Sequence, residues 1–259
     1  MDDLDVARGL IETAEIVSVL TGAGISTASG IPDFRGPEGI WTKDPAAEAL
    51  SSYDTWVRDA GVRRRAWRRR LESRDLRPVP NDGHRALVGL ERSGRLEILV
   101  TQNVDGLHAD AGTDPAKLVE IHGSSREVLC LSCGDRGPMD TVLDRVDGGD
   151  DDPACRALVV GEACRGILKS ATISFGQSLI ARDLERADVA ASRCDVLLAV
   201  GSTLSVWPIA GMVPRAREAG AHVVVVNGAP TAMDSLATVR VTGAIEVVLP
   251  RLVEELSVR

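Results

Sequence analysis

Four short runs built almost wholly from Val, Ile and Leu set the frame for this chain: EIVSVL at 15–20, LEILVTQN at 96–103, DVLLAVGS at 195–202 and HVVVVN at 222–227. A strand with one wet face alternates apolar and polar residues, whereas a strand covered on both faces is apolar throughout. The four runs therefore predict central parallel strands. Helical segments fall between them: HRALVGLERSG has apolar residues at helical spacing and stops at Gly94, and PIAGMVPRAREAG opens on Pro208 and stops at Gly220. This alternation predicts an α/β fold with a doubly wound, mainly parallel, Rossmann-like sheet, whose ligands lie beyond the carboxyl ends of its strands.

Two stretches break the alternation. Residues 40–77, with Trp41, Tyr53, Trp56 and Trp67, read as a helical excursion, and residues 130–169 carry four of the five cysteines and the run DGGDDDP. Both read as insertions that form a smaller lobe. The expected layout is one domain over 1–259, with a large lobe at about 1–39, 78–128 and 172–259. The small lobe then comprises a helical part at about 40–77 and a cysteine module at about 129–171.

A chain of 259 residues, 44% of them hydrophobic, is long enough to bury a sizeable core. Its formal charge of −8 is spread along the sequence and argues against a constitutive nucleic-acid binder. The start MDDLDVARGL has no basic leader followed by an apolar stretch, and no apolar run approaches the length of a membrane span. A cytoplasmic protein with no membrane partner is expected.

The cysteines supply a testable spacing. Cys130 and Cys133 form a C-x-x-C knuckle, and Cys155 and Cys164 follow with the spacer RALVVGEA between them. Four thiolates suit a tetrahedral zinc site, which would be structural because no position is left open for water. Two disulfides or plain buried thiols are the competing reading, which an intracellular setting disfavours. Cys194, in SRCDVLL, reads as a core thiol.

The stretch TGAGIS directly follows the first strand, so the backbone N–H groups around Gly22 and Gly24 can face a pyrophosphate. Thr27 stands where a dinucleotide fingerprint has its third glycine, and no acidic residue ends a second strand at the usual distance, which disfavours an ordinary dehydrogenase. Beyond it, Asp33, Phe34 and Arg35 in GIPDFRG suit a segment that closes over a ligand, with a surface turn set by Pro32 and Gly36 as the plainer reading. TQNVDGLH leaves Gln102, Asn103 and Asp105 just past a strand, where they can bind a carboxamide or orient a water. VGSTLSV and VVNG offer small and amide residues for a second nucleotide half. Among four histidines, His122 in VEIHGS is the best general base, His84 and His222 read as structural, and His108 as packing. The run RRRAWRRR at 63–70 reads as the solvated face of a helix with Trp67 turned inward, or alternatively as a patch for an acidic partner.

Taken in order, TGAGISTASGIPDFRGPEGIWT, TQNVDGLH, IHG, the four cysteines, GILKSATISFGQ, GSTLSVWP and VVVVNGAPT resemble the sirtuins, NAD-dependent protein-lysine deacylases, over nearly the whole chain. GPEGIWT and the long spacer before ACRGIL look most like the branch that includes nuclear chromatin deacylases with a long-spaced second cysteine pair. The heavy use of Arg over Lys in a minimal chain looks bacterial.

The resemblance implies roles for matching positions. Gly22, Ala23, Gly24 and Ser26 would cradle the NAD pyrophosphate, and Phe34 and Arg35, with Asp33 close by, would cover the nicotinamide ribose. Asn103, Val104 and Asp105 match the nicotinamide carboxamide pocket, and Gln102 matches a ribose contact. Gly201, Ser202, Thr203, Asn227 and Gly228 match the adenosine side, with Ile245 an adenine neighbour. His122 matches the catalytic base, with Asn103 counted beside it, and Phe175 and Gly176 match the strand that pairs with the substrate peptide, opposite Val206. NAD would be consumed: the acyl-lysine oxygen attacks the ribose as nicotinamide leaves, and His122 draws a proton from a ribose hydroxyl. Protein mono-ADP-ribosyl transfer and a non-catalytic NAD sensor are the alternatives. Succinyl-removing sirtuins carry a Tyr-x-x-Arg pair, but the residue three beyond Tyr53 here is Trp56, so acetyl or longer apolar acyl groups are the expected substrates.

Overall fold

The computed structural model describes residues 2–36, 39–44, 52–254 and 256. Pro37 and Glu38 of GPEGIWT, and residues 45–51 of the helical excursion, lie outside the described residues. Six parallel strands form the main sheet: β1 (Val17–Thr21), β2 (Leu96–Thr101), β3 (Leu118–Glu120), β9 (Val196–Val200), β10 (His222–Val226) and β11 (Val239–Val241). Their spatial order is β11-β10-β9-β1-β2-β3. Each of the four apolar runs became a strand, trimmed where polar residues begin. Two short edge strands, β3 and β11, complete the sheet.

Continuous apolar character is explained by two cores, one on each face. Val196, Leu198 and Val200 of β9, with Val224 and Val226 of β10, face helices α1 (Asp3–Thr13), α5 (Asp82–Arg92) and α10 (Ile245–Val253). Leu197 and Ala199, with Val223 and Val225, face α8 (Ala181–Arg193) and α9 (Met212–Glu218). Side chains alternate between the faces with period two, and because both faces are dry each position must be apolar. Asn81 starts α5 by accepting the Gly83 N–H at 2.9 Å, and Ala244 precedes α10.

The excursions build a third core. Helices α2 (Ile40–Lys43), α3 (Tyr53–Arg58) and α4 (Ala60–Glu72) precede α5. A three-stranded sheet, β5-β4-β8, comprises β4 (Gly123–Cys130), β5 (Arg136–Pro138) and β8 (Leu168–Thr172), with α7 (Met139–Asp147) beside it. Trp56 and Trp67 pack edge to face, ring centroids 5.5 Å apart, in one cluster with Val128, Val142, Leu143 and Leu168. The Trp56 indole N–H donates to the Leu168 carbonyl at 3.1 Å.

RRRAWRRR only partly matches its expected solvated face. Trp67 is fully buried, as read, but Arg63 and Arg70 share its side of α4. Arg63 forks onto Asp152, Nη2 to Oδ2 at 2.7 Å, and Arg64 meets Asp151 at 3.3 Å. Arg70 donates to Ser170 Oγ at 3.0 Å. The acidic run is thus the partner of the basic one.

Candidate active site

The polar motifs gather at the carboxyl edge of the sheet because each directly follows a strand. The chain runs from β1 outward to β2 and from the neighbouring β9 outward in the opposite direction to β10, so the order reverses and a crevice opens beyond β1 and β9. The glycines there serve packing first. A Cβ on Gly22 would lie 2.7 Å from the Gly201 carbonyl oxygen, and one on Gly24 would lie 2.8 Å from Gly201 Cα. Gly201 itself has φ +63°, and a Cβ on it would meet Ile25 N at 2.5 Å. The Gly22 and Gly24 N–H groups, expected to face a pyrophosphate, donate to Val200 and Gly201 carbonyls at 2.9 and 2.8 Å. This corrects the expectation for those two donors: the loops after β1 and β9 approach so closely that backbone pairs with backbone. Ala23 opens the short 3-10 turn Ala23–Ser29.

Ser26 is the centre of a buried network. Its hydroxyl donates to Asp105 Oδ2 at 2.8 Å and accepts from Asn103 Nδ2 at 3.1 Å. His84 Nε2 lies 3.4 Å away, and His84 Nδ1 accepts the Asn81 N–H at 3.3 Å. A neutral ring that accepts at Nδ1 carries its proton on Nε2, so Ser26 receives two donors and spends its single proton on Asp105. Asn103 also donates to the Gly22 carbonyl at 3.2 Å, and Asp105 Oδ1 accepts the Leu107 N–H at 2.9 Å. Its neighbour Val104 is half-buried. His108 packs against His84 with the rings tilted by 57° and their centroids 4.9 Å apart, and meets Thr21 Oγ1 at 3.0 Å. Burial lowers His84 to about 4 and His108 to about 3, so both are neutral. Sequence reading set these two aside as structural and packing residues; only the fold brings them beside Ser26 and Thr21.

His122 follows β3 and precedes β4. Its Nδ1 lies 3.0 Å from the Gln102 carbonyl oxygen. A carbonyl only accepts, so Nδ1 carries the proton and Nε2 is the basic atom of the neutral ring. Burial lowers the pKa of His122, partly offset by the Gln102 carbonyl. Gln102 Nε2 donates to Ser202 Oγ at 2.9 Å, joining the ends of β2 and β9. Thr203 Oγ1 pairs with Ser205 Oγ at 2.8 Å. Asn227, after β10, donates to the Ala229 carbonyl at 2.7 Å, and Gly228 is exposed. Ile245 is buried in the core against Gly83 and Gly201.

The segment after the 3-10 turn folds on itself. Asp33 Oδ1 accepts the Gly36 N–H at 2.9 Å, so Asp33 shapes the turn. Trp41 is its platform: Phe34 lies 4.7 Å away between centroids, the Arg35 guanidinium 4.5 Å above the ring, and Phe175 5.5 Å away. Phe34 and Phe175 are each about two-fifths exposed. Phe175 forms an isolated parallel β-bridge with Ser52 and Gly176 follows in a turn at φ +89°, so the expected strand is present only as that single bridge. The Phe175 carbonyl accepts the Tyr53 N–H at 3.0 Å, which ties this turn to α3. Val206 is half-buried past β9.

The cysteine sulfurs of Cys130, Cys133, Cys155 and Cys164 all lie within 4.8 Å of one another. Cys130–Cys164 and Cys133–Cys155 are each 3.7 Å apart, far beyond the roughly 2.05 Å of a disulfide. Zinc–sulfur bonds of about 2.3 Å in a tetrahedron space the sulfurs about 3.8 Å apart, so the four thiols fit a structural zinc. The irregular spacer is a hairpin, β6 (Leu158–Val159) and β7 (Glu162–Ala163), turning through Val160 and Gly161 with φ +51° and +83°.

A model of the Sir2 family matches residues 22–208. The chain is 45% identical over 241 residues to NAD-dependent protein deacetylase 2 of Streptomyces coelicolor, which covers 93% of this chain and 98% of that protein. A solved Sir2 with a deacetylated p53 peptide and 3′-O-acetyl ADP-ribose has a TM-score of 0.86 and 29% identity, covering 97% of this chain and 98% of that one. A Sir2 with a p53 peptide and NAD+ has a TM-score of 0.83 and 28% identity over 98% of each chain.

Proposed function

The chain belongs to the Sir2 family, and on that premise we infer that it is an NAD-dependent protein deacylase. It moves the acyl group of an acyl-lysine protein or peptide onto ADP-ribose. The observation that carries this reading is the His122 ring, held through Nδ1 by the Gln102 carbonyl with Nε2 left basic. NAD, when bound, supplies the ADP-ribosyl acceptor and releases nicotinamide. The chain's own residues bind, orient and move the proton.

His122 takes a proton at Nε2 from a ribose hydroxyl. Asn103, Val104 and Asp105 receive the nicotinamide carboxamide, a role supported by the Ser26 network that holds the two polar side chains in fixed positions. Gly22, Ala23, Gly24 and Ser26 line the pyrophosphate through the tight turn after β1, and Gln102 meets the ribose. Gly201, Ser202, Thr203, Asn227 and Gly228 take the adenosine side, which their place after β9 and β10 favours. Ile245 acts there at one remove, by packing under Gly201. Asp33 shapes the segment by which Phe34 and Arg35 cover the ribose, and the Phe34–Trp41–Phe175 cluster joins that cover to the substrate turn of Phe175 and Gly176, with Val206 beyond β9. The neutral amides, hydroxyls and single guanidinium of this set suit the hydroxyls and carboxamide of NAD. Cys130, Cys133, Cys155 and Cys164 would hold a zinc that braces the small lobe.

The large lobe, at about 1–39, 78–128 and 172–259, binds NAD, and the small lobe, at about 40–77 and 129–171, carries zinc and α4; the shared Trp56–Trp67 core supports the grouping. A cytoplasmic location is in line with the bacterial-looking, Arg-rich sequence. No described helix is long and apolar enough to cross a membrane. Incubation with NAD and an acetyl-lysine peptide, followed by mass spectrometry, tests the activity. Acetyl-ADP-ribose with nicotinamide is expected, whereas ADP-ribosylated protein alone, NADH or no product would overturn it.

A further inference from the structure

Gly106 follows Asp105 with φ +76°, a conformation that strains any side chain, and one placed there would push Arg126 aside: a Cβ would lie 2.4 Å from Arg126 Nε and 2.6 Å from Arg126 Cζ. Arg126 occupies an irregular stretch of β4. The strand pairs with β8 at Gly123–Thr172 and next at Val128–Ser170, with a register shift between. Two residues in that stretch turn to the loop after β2 instead. The Ser125 N–H and Oγ both donate to the Val104 carbonyl, at 2.9 and 2.7 Å. Arg126 Nε donates to the Asp105 carbonyl at 2.9 Å. Successive carbonyls of the loop are thus bound by successive residues of β4. The far edge of the guanidinium meets the Asp110 carboxylate through both arms, Nη1 to Oδ1 at 2.7 Å and Nη2 to Oδ2.

We propose that Arg126 is a positioning residue for NAD: it fixes the peptide unit between Asp105 and Gly106, so that Asn103 and Asp105 present a constant geometry to the nicotinamide carboxamide. The proposal rests on the reading of that loop given above. Glycine leaves a peptide free to rotate, and here the clamp replaces the restraint a side chain would have given. Arginine suits the task because its planar fork serves the carbonyl and the carboxylate at once, whereas a lysine ammonium serves one at a time. Asp105 is then restrained on both its groups, the carbonyl by Arg126 and the carboxylate by Ser26 and the Leu107 N–H.

Steady-state kinetics of the full-length, zinc-loaded enzyme with NAD and an acetyl-lysine peptide, with nicotinamide inhibition measured alongside, provide the test. In Arg126→Ala, the KM for NAD and the nicotinamide inhibition constant should both rise about tenfold, the scale of one lost charge-assisted hydrogen bond. The KM for peptide, the zinc content and Tm should hold. Arg126→Lys should recover only part of the loss. Gly106→Ala, which displaces the guanidinium while keeping both charges, should reproduce the alanine phenotype. The Arg126 and Asp110 side chains are 46% and 40% exposed, so salt should weaken their pairing and raise the wild-type KM for NAD toward that of Arg126→Ala. Unchanged NAD and nicotinamide constants in both Arg126→Ala and Gly106→Ala would overturn the proposal. So would losses shared equally by peptide KM, zinc content and Tm. Asn103→Ala separates the two levels. If it leaves turnover and nicotinamide inhibition intact, the reading of the loop is wrong; if it impairs them while Arg126→Ala does not, only the positioning role falls.

Discussion

His122 Nδ1 and the Gln102 carbonyl oxygen stand 3.0 Å apart, and the residue that holds the ring is the one that precedes Asn103 in the chain. The proposed base and the loop proposed to receive nicotinamide are therefore held through adjacent residues of one segment. His122→Ala should lower turnover by about 10²- to 10⁴-fold while zinc content and Tm remain. Because burial lowers the pKa of His122 and the base acts when neutral, the rate should hold at pH 7 and fall as acid protonates Nε2, below the ordinary value of 6.5. A pH–rate profile of the wild type checks this, and an acid limb centred above 6.5 would contradict it.

The buried pair His84 and His108 should make stability depend on pH. Both bind protons more weakly folded, at about 4 and about 3, than unfolded near 6.5, so acid favours the unfolded chain. The stability they confer is complete above 6.5 and is lost as the pH falls toward 4 for His84 and toward 3 for His108. The change should be on the order of a few kcal/mol. Urea unfolding at pH 7.5 and 5.0 measures it, with a shallower dependence expected in His108→Asn.

Metal removal should act on structure. Elemental analysis should find roughly one zinc per chain, with none bound in a Cys155→Ser, Cys164→Ser variant. A chelator should lower Tm and expose the Trp56–Trp67 cluster, visible as a shift in tryptophan emission. Full zinc in the double variant would refute the four-thiolate site.

Arg63 and Asp152 join α4 to the cysteine module with side chains only 12% and 21% exposed. A double-mutant cycle with Arg63→Met and Asp152→Asn should give a coupling of about 1–3 kcal/mol, since the pair is forked and shielded. The more exposed Arg64–Asp151 pair, at 51% and 59%, should give less than about 1 kcal/mol.

Acyl preference follows from the helical lobe. Trp56, three residues beyond Tyr53, is buried with its N–H spent on the Leu168 carbonyl, so this position supplies no cation for an acidic acyl group. An acetyl-peptide should turn over faster than its succinyl counterpart in paired assays, and the reverse order would overturn the inference.

The sheet was legible because burial on both faces leaves a local mark: every residue of Val196–Val200 is apolar, and no partner need be known to see it. The four cysteines were legible for a related reason, since metal ligation demands particular atoms. The Ser26 network was not. His84 lies 58 residues from Ser26, and nothing in a helix-opening histidine reveals which hydroxyl its far nitrogen will meet. The glycines were half legible: their presence marks a tight turn, but only the fold shows that Gly22 and Gly24 make room for Gly201. Arg63 and Asp152 stand 89 residues apart, and although both charged runs are plain in the sequence, their pairing is a property of the third core. Arg126 gave no sign at all, because one partner is a backbone carbonyl that every residue possesses and the other, Asp110, is brought to it by the fold from 16 residues away.

One strand begins beside the proposed base and ends on a zinc ligand. β4 runs from Gly123, next to His122, to Cys130, and its seven residue steps span at most roughly 23 Å. It is one continuous segment, irregular near its start, with the proposed chemistry at one end and the thiol cluster at the other. A metal on the four thiols, touching no reacting atom, should thereby limit how far the imidazole can swing, and its removal should blur the aim of the proposed base before it melts the fold.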